Sequence, residues 1–160
     1  MSHRGPGQIG DSLIIGKGNL MVTTQLAFET GTDAFNARDL DRFAQLLADD
    51  VVFQAPGCPR NAGKQACVDF YSGLFDAFPD AQFQSRRLYI LDEVAIEEGT
   101  FTGTHTGAGR TDRTVELDYV QVMSVEDGEY VSMKLLLDRL TMLEQLGLAP
   151  GTQCIGPHVL

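Results

Sequence analysis

Thr114-Val115-Glu116-Leu117-Asp118-Tyr119-Val120-Gln121-Val122-Met123-Ser124-Val125, then Glu126-Asp127-Gly128-Glu129, then Tyr130-Val131-Ser132-Met133-Lys134-Leu135-Leu136-Leu137, reads as a β-hairpin. Val115, Leu117, Tyr119, Gln121, Met123 and Val125 form one alternating set, and Glu116, Asp118, Ser124 and Glu126 the other. That period of two is the mark of a half-buried strand, so the first set should face the core. Asp127-Gly128 supplies the positive backbone angles of a tight hairpin turn. Upstream, residues 84–91 and 94–106 carry the same β character. Four successive strands with short connections make an antiparallel meander. Downstream, residues 138–146 read as a short helix that Gly147 is placed to end.

Toward the N-terminus the period lengthens. Ala27, Gly31, Ala34 and Phe35 fall on one helical face behind Thr23 and Thr24, which offer an N-cap. Asp39 can cap a second short helix bearing Leu40, Phe43, Ala44 and Leu47. Val51 to Phe53 form a short strand, and residues 55–61, with two prolines and a glycine, a loop. A third helix starts near Gly63, presents Cys67, Phe70, Tyr71, Leu74, Phe75 and Phe78, and stops at Pro79. Helices first and a meander second predict an α+β domain with helices packed on one face of a bent sheet.

Composition narrows the function classes. The 160 residues suit one domain. The predicted division is a flexible tail over 1–20, the folded domain over 21–149 and a C-terminal tail over 150–160. Acidic residues outnumber basic ones 22 to 12, for a net charge of −10. Nucleic-acid backbones and anionic membranes both attract clustered Lys and Arg, so neither is an expected partner. No apolar run approaches the roughly 20 residues of a membrane-spanning helix. Cys58, Cys67 and Cys154 stand far apart without a CxxC pair, which fits a reduced, cytoplasmic setting. Neither an HExxH motif nor a Cys/His cluster is present, so no metal is expected. Gly103 to Gly109 lacks the strand-to-helix context and lysine of a phosphate loop. No cofactor is expected.

Several segments, taken in order, carry a family resemblance. They are Phe35-Asn36-Ala37-Arg38-Asp39-Leu40-Asp41, Leu47-Ala48-Asp49-Asp50-Val51, Gly103-Thr104-His105-Thr106-Gly107, the strand ending in Asp138-Arg139, and Gln145-Leu146-Gly147-Leu148. Together they resemble the SnoaL-like polyketide cyclases, or ester cyclases, of the nuclear transport factor 2-like superfamily. The resemblance implies a cystatin-like cone: a curved antiparallel sheet wrapped around N-terminal helices, enclosing a deep apolar pocket. It also implies a homodimer through the sheet, a small apolar molecule in the internal pocket, Asp138 as general base and His105 as its assistant.

A carboxylate in such a pocket is desolvated, its pKa rises, and it becomes a better base near neutrality. It could take a proton α to a carbonyl, and the enolate could then close a ring by aldol attack or reprotonate elsewhere. His105, Tyr119 or Gln121 could donate to the oxyanion, with Tyr71 a further candidate. Phe53, Tyr71, Phe75 and Phe101 are expected to line the substrate space. The structural alternatives are an N-cap role for Asp138, a solvated strand-end position for His105 and a packed core for the aromatic stripe. Lys134 departs from the family, which often has an aromatic near this position. It shares strand parity with Asp138 and could lower that carboxyl's pKa or act as an amine nucleophile. Simple alternation, however, places both on the face opposite Val131, Met133, Leu135 and Leu137, unless a β-bulge intervenes. The loop Gly107 to Arg113 is shorter than in the family and lacks its proline. An epoxide-hydrolase reading needs an Arg and a second Asp where Thr102 and Thr104 stand. The competing class is a non-catalytic ligand-binding or assembly domain of the same fold.

Overall fold

The computed structural model describes residues 12–15, 18–59 and 62–148. Its elements are β1 (Ser12–Ile15), α1 (Gly18–Asn36), α2 (Leu40–Ala44), β2 (Leu47–Gln54), α3 (Lys64–Ala77), β3 (Gln82–Leu91), β4 (Val94–Thr104), β5 (Thr114–Glu126), β6 (Glu129–Leu137) and α4 (Arg139–Gln145). One curved, unclosed sheet runs in the order β1-β3-β4-β5-β6-β2. The expected antiparallel meander forms its centre. The two edges differ from expectation: β1 joins β3, and β2 joins β6, in parallel. The first edge lies upstream of residue 21, the expected start of the folded domain. Ser12–Ile15 already pairs with Leu88–Leu91, and α1 begins at Gly18. Thr24 is therefore inside the helix rather than at its cap, and its buried hydroxyl donates to the Asp92 carbonyl at 2.7 Å. Of the expected tails over 1–20 and 150–160, residues 1–11, 16–17 and 150–160 lie outside the described residues, as do His3, His158 and Cys154.

Local chemistry sets the remaining boundaries. Asp39 caps α2 by accepting from the Arg42 amide at 2.9 Å. Asp127 and Gly128 both take positive φ, 49° and 87°, the conformation of the hairpin turn predicted there. Gly147, at φ 71°, closes α4, and the Leu148 amide donates to the Leu143 carbonyl. The inward rows of the sheet pack against the helices as two clusters. One gathers Phe28, Phe43, Phe53, Tyr71, Met123, Tyr130 and Met133; the other gathers Phe78, Phe101, Val115, Leu117, Tyr119 and Leu135. No described helix is long and apolar enough to cross a membrane.

Candidate functional site

Between α1, α2, α3 and the inner face of the sheet lies a cavity of about 480 Å³ counted with its mouth. Its walls are mainly rings and thioethers: Phe28, Phe35, Phe43, Tyr71, Phe83, Tyr130, Met123 and Met133. The rings meet edge to face, with Phe35 to Tyr71 centroids at 4.6 Å and Phe35 to Phe83 at 5.3 Å. This geometry favours contact between ring edges and π faces and holds the walls in place. The polar groups are few: Thr32, Asn36, Glu97 and Gln121 join the two tyrosines, and among the described residues no Lys, Arg or His contributes.

Glu97 sits on the inward row of β4, only 7% exposed. It is the one Asp or Glu buried among the described residues. Burial pushes its carboxyl pKa up, because a desolvated charge is disfavoured. The Tyr119 hydroxyl donates to Glu97 Oε1 at 2.9 Å and partly offsets that rise by favouring the ionised form. Ser85 also acts in that direction, but its buried Oγ closes no hydrogen bond of normal geometry, so Tyr119 makes the direct contact.

Opposite Glu97 in the register stands Gln121 on β5, on the same face. Its Nε2 donates to Tyr71 Oη at 2.9 Å. With that lone pair engaged, the Tyr71 O–H is left to donate elsewhere. Tyr71 is itself buried, and its own pKa is pushed well up, chiefly by desolvation, so it stays protonated and able to donate. Tyr130 closes another wall by lying across Gly31 of α1, its hydroxyl donating to the Ala27 carbonyl at 2.9 Å. A Cβ at Gly31 would come within 2.6 Å of that hydroxyl oxygen.

The SnoaL-like domain family matches residues 28–133. The chain belongs to that family. No curated protein matches it significantly in sequence. Among solved structures, it is similar to AclR of Streptomyces galilaeus, described provisionally as a hydroxylase. The TM-score is 0.71 and the identity 21%, covering 84% of this chain and 91% of that one. It is also similar to a provisionally assigned SnoaL-like polyketide cyclase of Jannaschia sp. CCS1, at TM-score 0.72 and 14% identity, covering 85% and 99%. IdmH of Streptomyces antibioticus, provisionally a polyketide cyclase, gives a TM-score of 0.67 and 22% identity, covering 78% and 98%. These likenesses establish the nuclear transport factor 2-like fold.

Within this SnoaL-like domain the expected site residues are dispersed. Asp138 is exposed and caps α4, accepting from the Thr141 amide at 3.1 Å and the Thr141 hydroxyl at 2.7 Å. Those bonds hold its carboxyl below the usual range, the reverse of the expected rise. A bulge does occur in β6, but at Val131, where the register with β5 slips. Beyond it Met133, Leu135 and Leu137 return to the inner row, so Lys134 points outward and is exposed. His105 is buried beside Phe78 of the second cluster, the two rings 5.4 Å apart, with its Nδ1 3.3 Å from Thr111 Oγ1. Phe101 belongs to that cluster as well, and Phe53 is core beside Phe70 and Tyr71. Phe75 packs on Phe35 and beneath the Arg38 guanidinium, outside the cavity wall. Only Tyr71 and Gln121 of the expected residues line the cavity, with Tyr119 one hydrogen bond behind it. Glu97 did not figure among the expected residues. Its signal was parity: it lies four residues from inward-facing Phe101 and so points to the same side.

Proposed function

We propose that this SnoaL-like domain is a cofactor-independent enzyme acting on a small apolar carbonyl compound, with Glu97 as general base. The observation that carries the reading is a buried carboxyl with a raised pKa in the wall of an aromatic cavity that contributes no cation to quench it. Such a group takes a proton more readily than an exposed carboxylate would. Glu97 removes a proton α to the substrate carbonyl. The negative charge passes to the carbonyl oxygen, where the Tyr71 O–H donates and the Gln121 amide supports the donor from behind. The enolate then attacks a second carbonyl of the same molecule or is reprotonated at another carbon, and Glu97 returns its proton.

A suitable probe is 2-tetralone, a compact aromatic ketone with exchangeable α-protons. In D2O the wild type accelerates loss of its α-proton signals in the ¹H spectrum, and Glu97→Gln abolishes that acceleration. Equal exchange by both proteins would defeat the proposal. Homodimer formation through the outer face of the sheet is part of the same proposal. Exposed Val52 and Leu136 on that face support it.

A further inference from the structure

Glu97 does not hold its own place, because nothing on β4 itself bonds its carboxyl. Tyr119, on the neighbouring strand, reaches it from two residues along. Tyr119 pairs in register with Gly99, and Glu97 pairs with Gln121. To touch Glu97, the Tyr119 side chain must cross over the Gly99 backbone. A Cβ at Gly99 would lie 2.5 Å from both Cζ and Oη of Tyr119, and would also collide with the Gln84 carbonyl of β3. The missing side chain is therefore what lets the ring lie flat over β4. Gly99 has no positive φ to require a glycine, so the requirement is one of space. Phe83 packs edge to face on the Tyr119 ring at 5.1 Å and blocks retreat on the other side.

We infer that Tyr119 and Gly99 form a positioning device for Glu97: the tyrosine hydroxyl holds Oε1 and leaves Oε2 for chemistry in the cavity, and the glycine makes the crossing possible. This rests on the reading of Glu97 as the base, but the coupling itself is physical and measurable without a substrate. Tyr119 does not line the cavity, so it acts through Glu97 and is a positioning residue. Its hydroxyl stabilises the carboxylate, so its removal makes Glu97 harder to ionise.

The experiment follows the Glu97 side-chain carboxyl by ¹³C NMR titration in the full chain, assigned by its loss in Glu97→Gln. Tyr119→Phe removes one oxygen and keeps the ring, so packing is preserved. The Glu97 midpoint should move upward by about one pH unit, the size of one hydrogen bond lost from an ionised group. Gly99→Ala, which displaces the ring, should move it the same way. An unchanged or lowered midpoint in Tyr119→Phe overturns the inference. The pH profile of 2-tetralone exchange separates the two ideas. A shifted titration without any wild-type exchange would sink the base assignment and leave the positioning device standing. Wild-type exchange with an unshifted titration would do the opposite.

Discussion

Replacing Glu97 by Gln should stabilise the folded protein at neutral pH and do nothing at low pH. The two side chains have nearly the same shape, and the amide oxygen can still accept from Tyr119. What changes is a charge on a residue only 7% exposed, with no cationic neighbour among the described residues of the cavity wall. Its pKa is raised from 4.5 in the folded state. Between the unfolded and the folded pKa, the folded state holds the extra proton, so stability falls as pH rises through that window. The contribution of protonated Glu97 is fully present below about pH 4.3 and is lost above the folded pKa. Each unit of elevation corresponds to about 1.4 kcal/mol, or about 4 °C of Tm in a domain of this size. Thermal melts of the two proteins should therefore coincide near pH 4, separate through the window between the unfolded and folded pKa, and keep a constant gap above it, with Glu97→Gln the more stable. Parallel Tm curves, or a variant less stable at pH 8 than at pH 4 relative to wild type, would refute the claim that Glu97 is desolvated.

Three other outcomes test the architecture. Asp138→Ala should lower the denaturant midpoint through loss of the α4 cap, whereas Asp138→Asn should be nearly neutral because asparagine caps as well. Gly31→Ala should destabilise by about 1–3 kcal/mol by forcing the Tyr130 ring off α1, and a double variant with Tyr130→Phe should recover part of that loss. Leu136→Lys on the outer sheet face should yield a monomer by light scattering if that face joins two copies, with the circular dichroism spectrum unchanged.

The central hairpin was legible because its alternation is clean and Asp127-Gly128 permits only a tight turn. The same reading placed Tyr119 and Gln121 on the inner row, where they are. At the edges the strand at Val51 to Phe53 was legible, but the parallel pairings were not. Ser12–Ile15 is four residues in a glycine-rich segment, and its partner β3 lies far along the chain, so no local pattern marks the pairing. Asp138 stands where a strand hands over to a helix, a position compatible with both a base and a cap. Its hydrogen bonds to Thr141 decide for the cap. Glu97-Glu98 straddles both faces of β4, and the pair alone does not mark which acid turns inward. Only the fit of Tyr119 across Gly99 shows why one of them can be tolerated inside.

The most direct test sets two carboxyls against each other in the same assay. The α-proton exchange of 2-tetralone is measured for wild type, Glu97→Gln and Asp138→Asn at a pH above the Glu97 titration midpoint. Glu97→Gln should lose about 100-fold or more of the catalysed rate, the scale of a missing general base, while Asp138→Asn keeps it. Loss in Asp138→Asn with retention in Glu97→Gln would place the chemistry at the helix cap and contradict the assignment of the buried cavity.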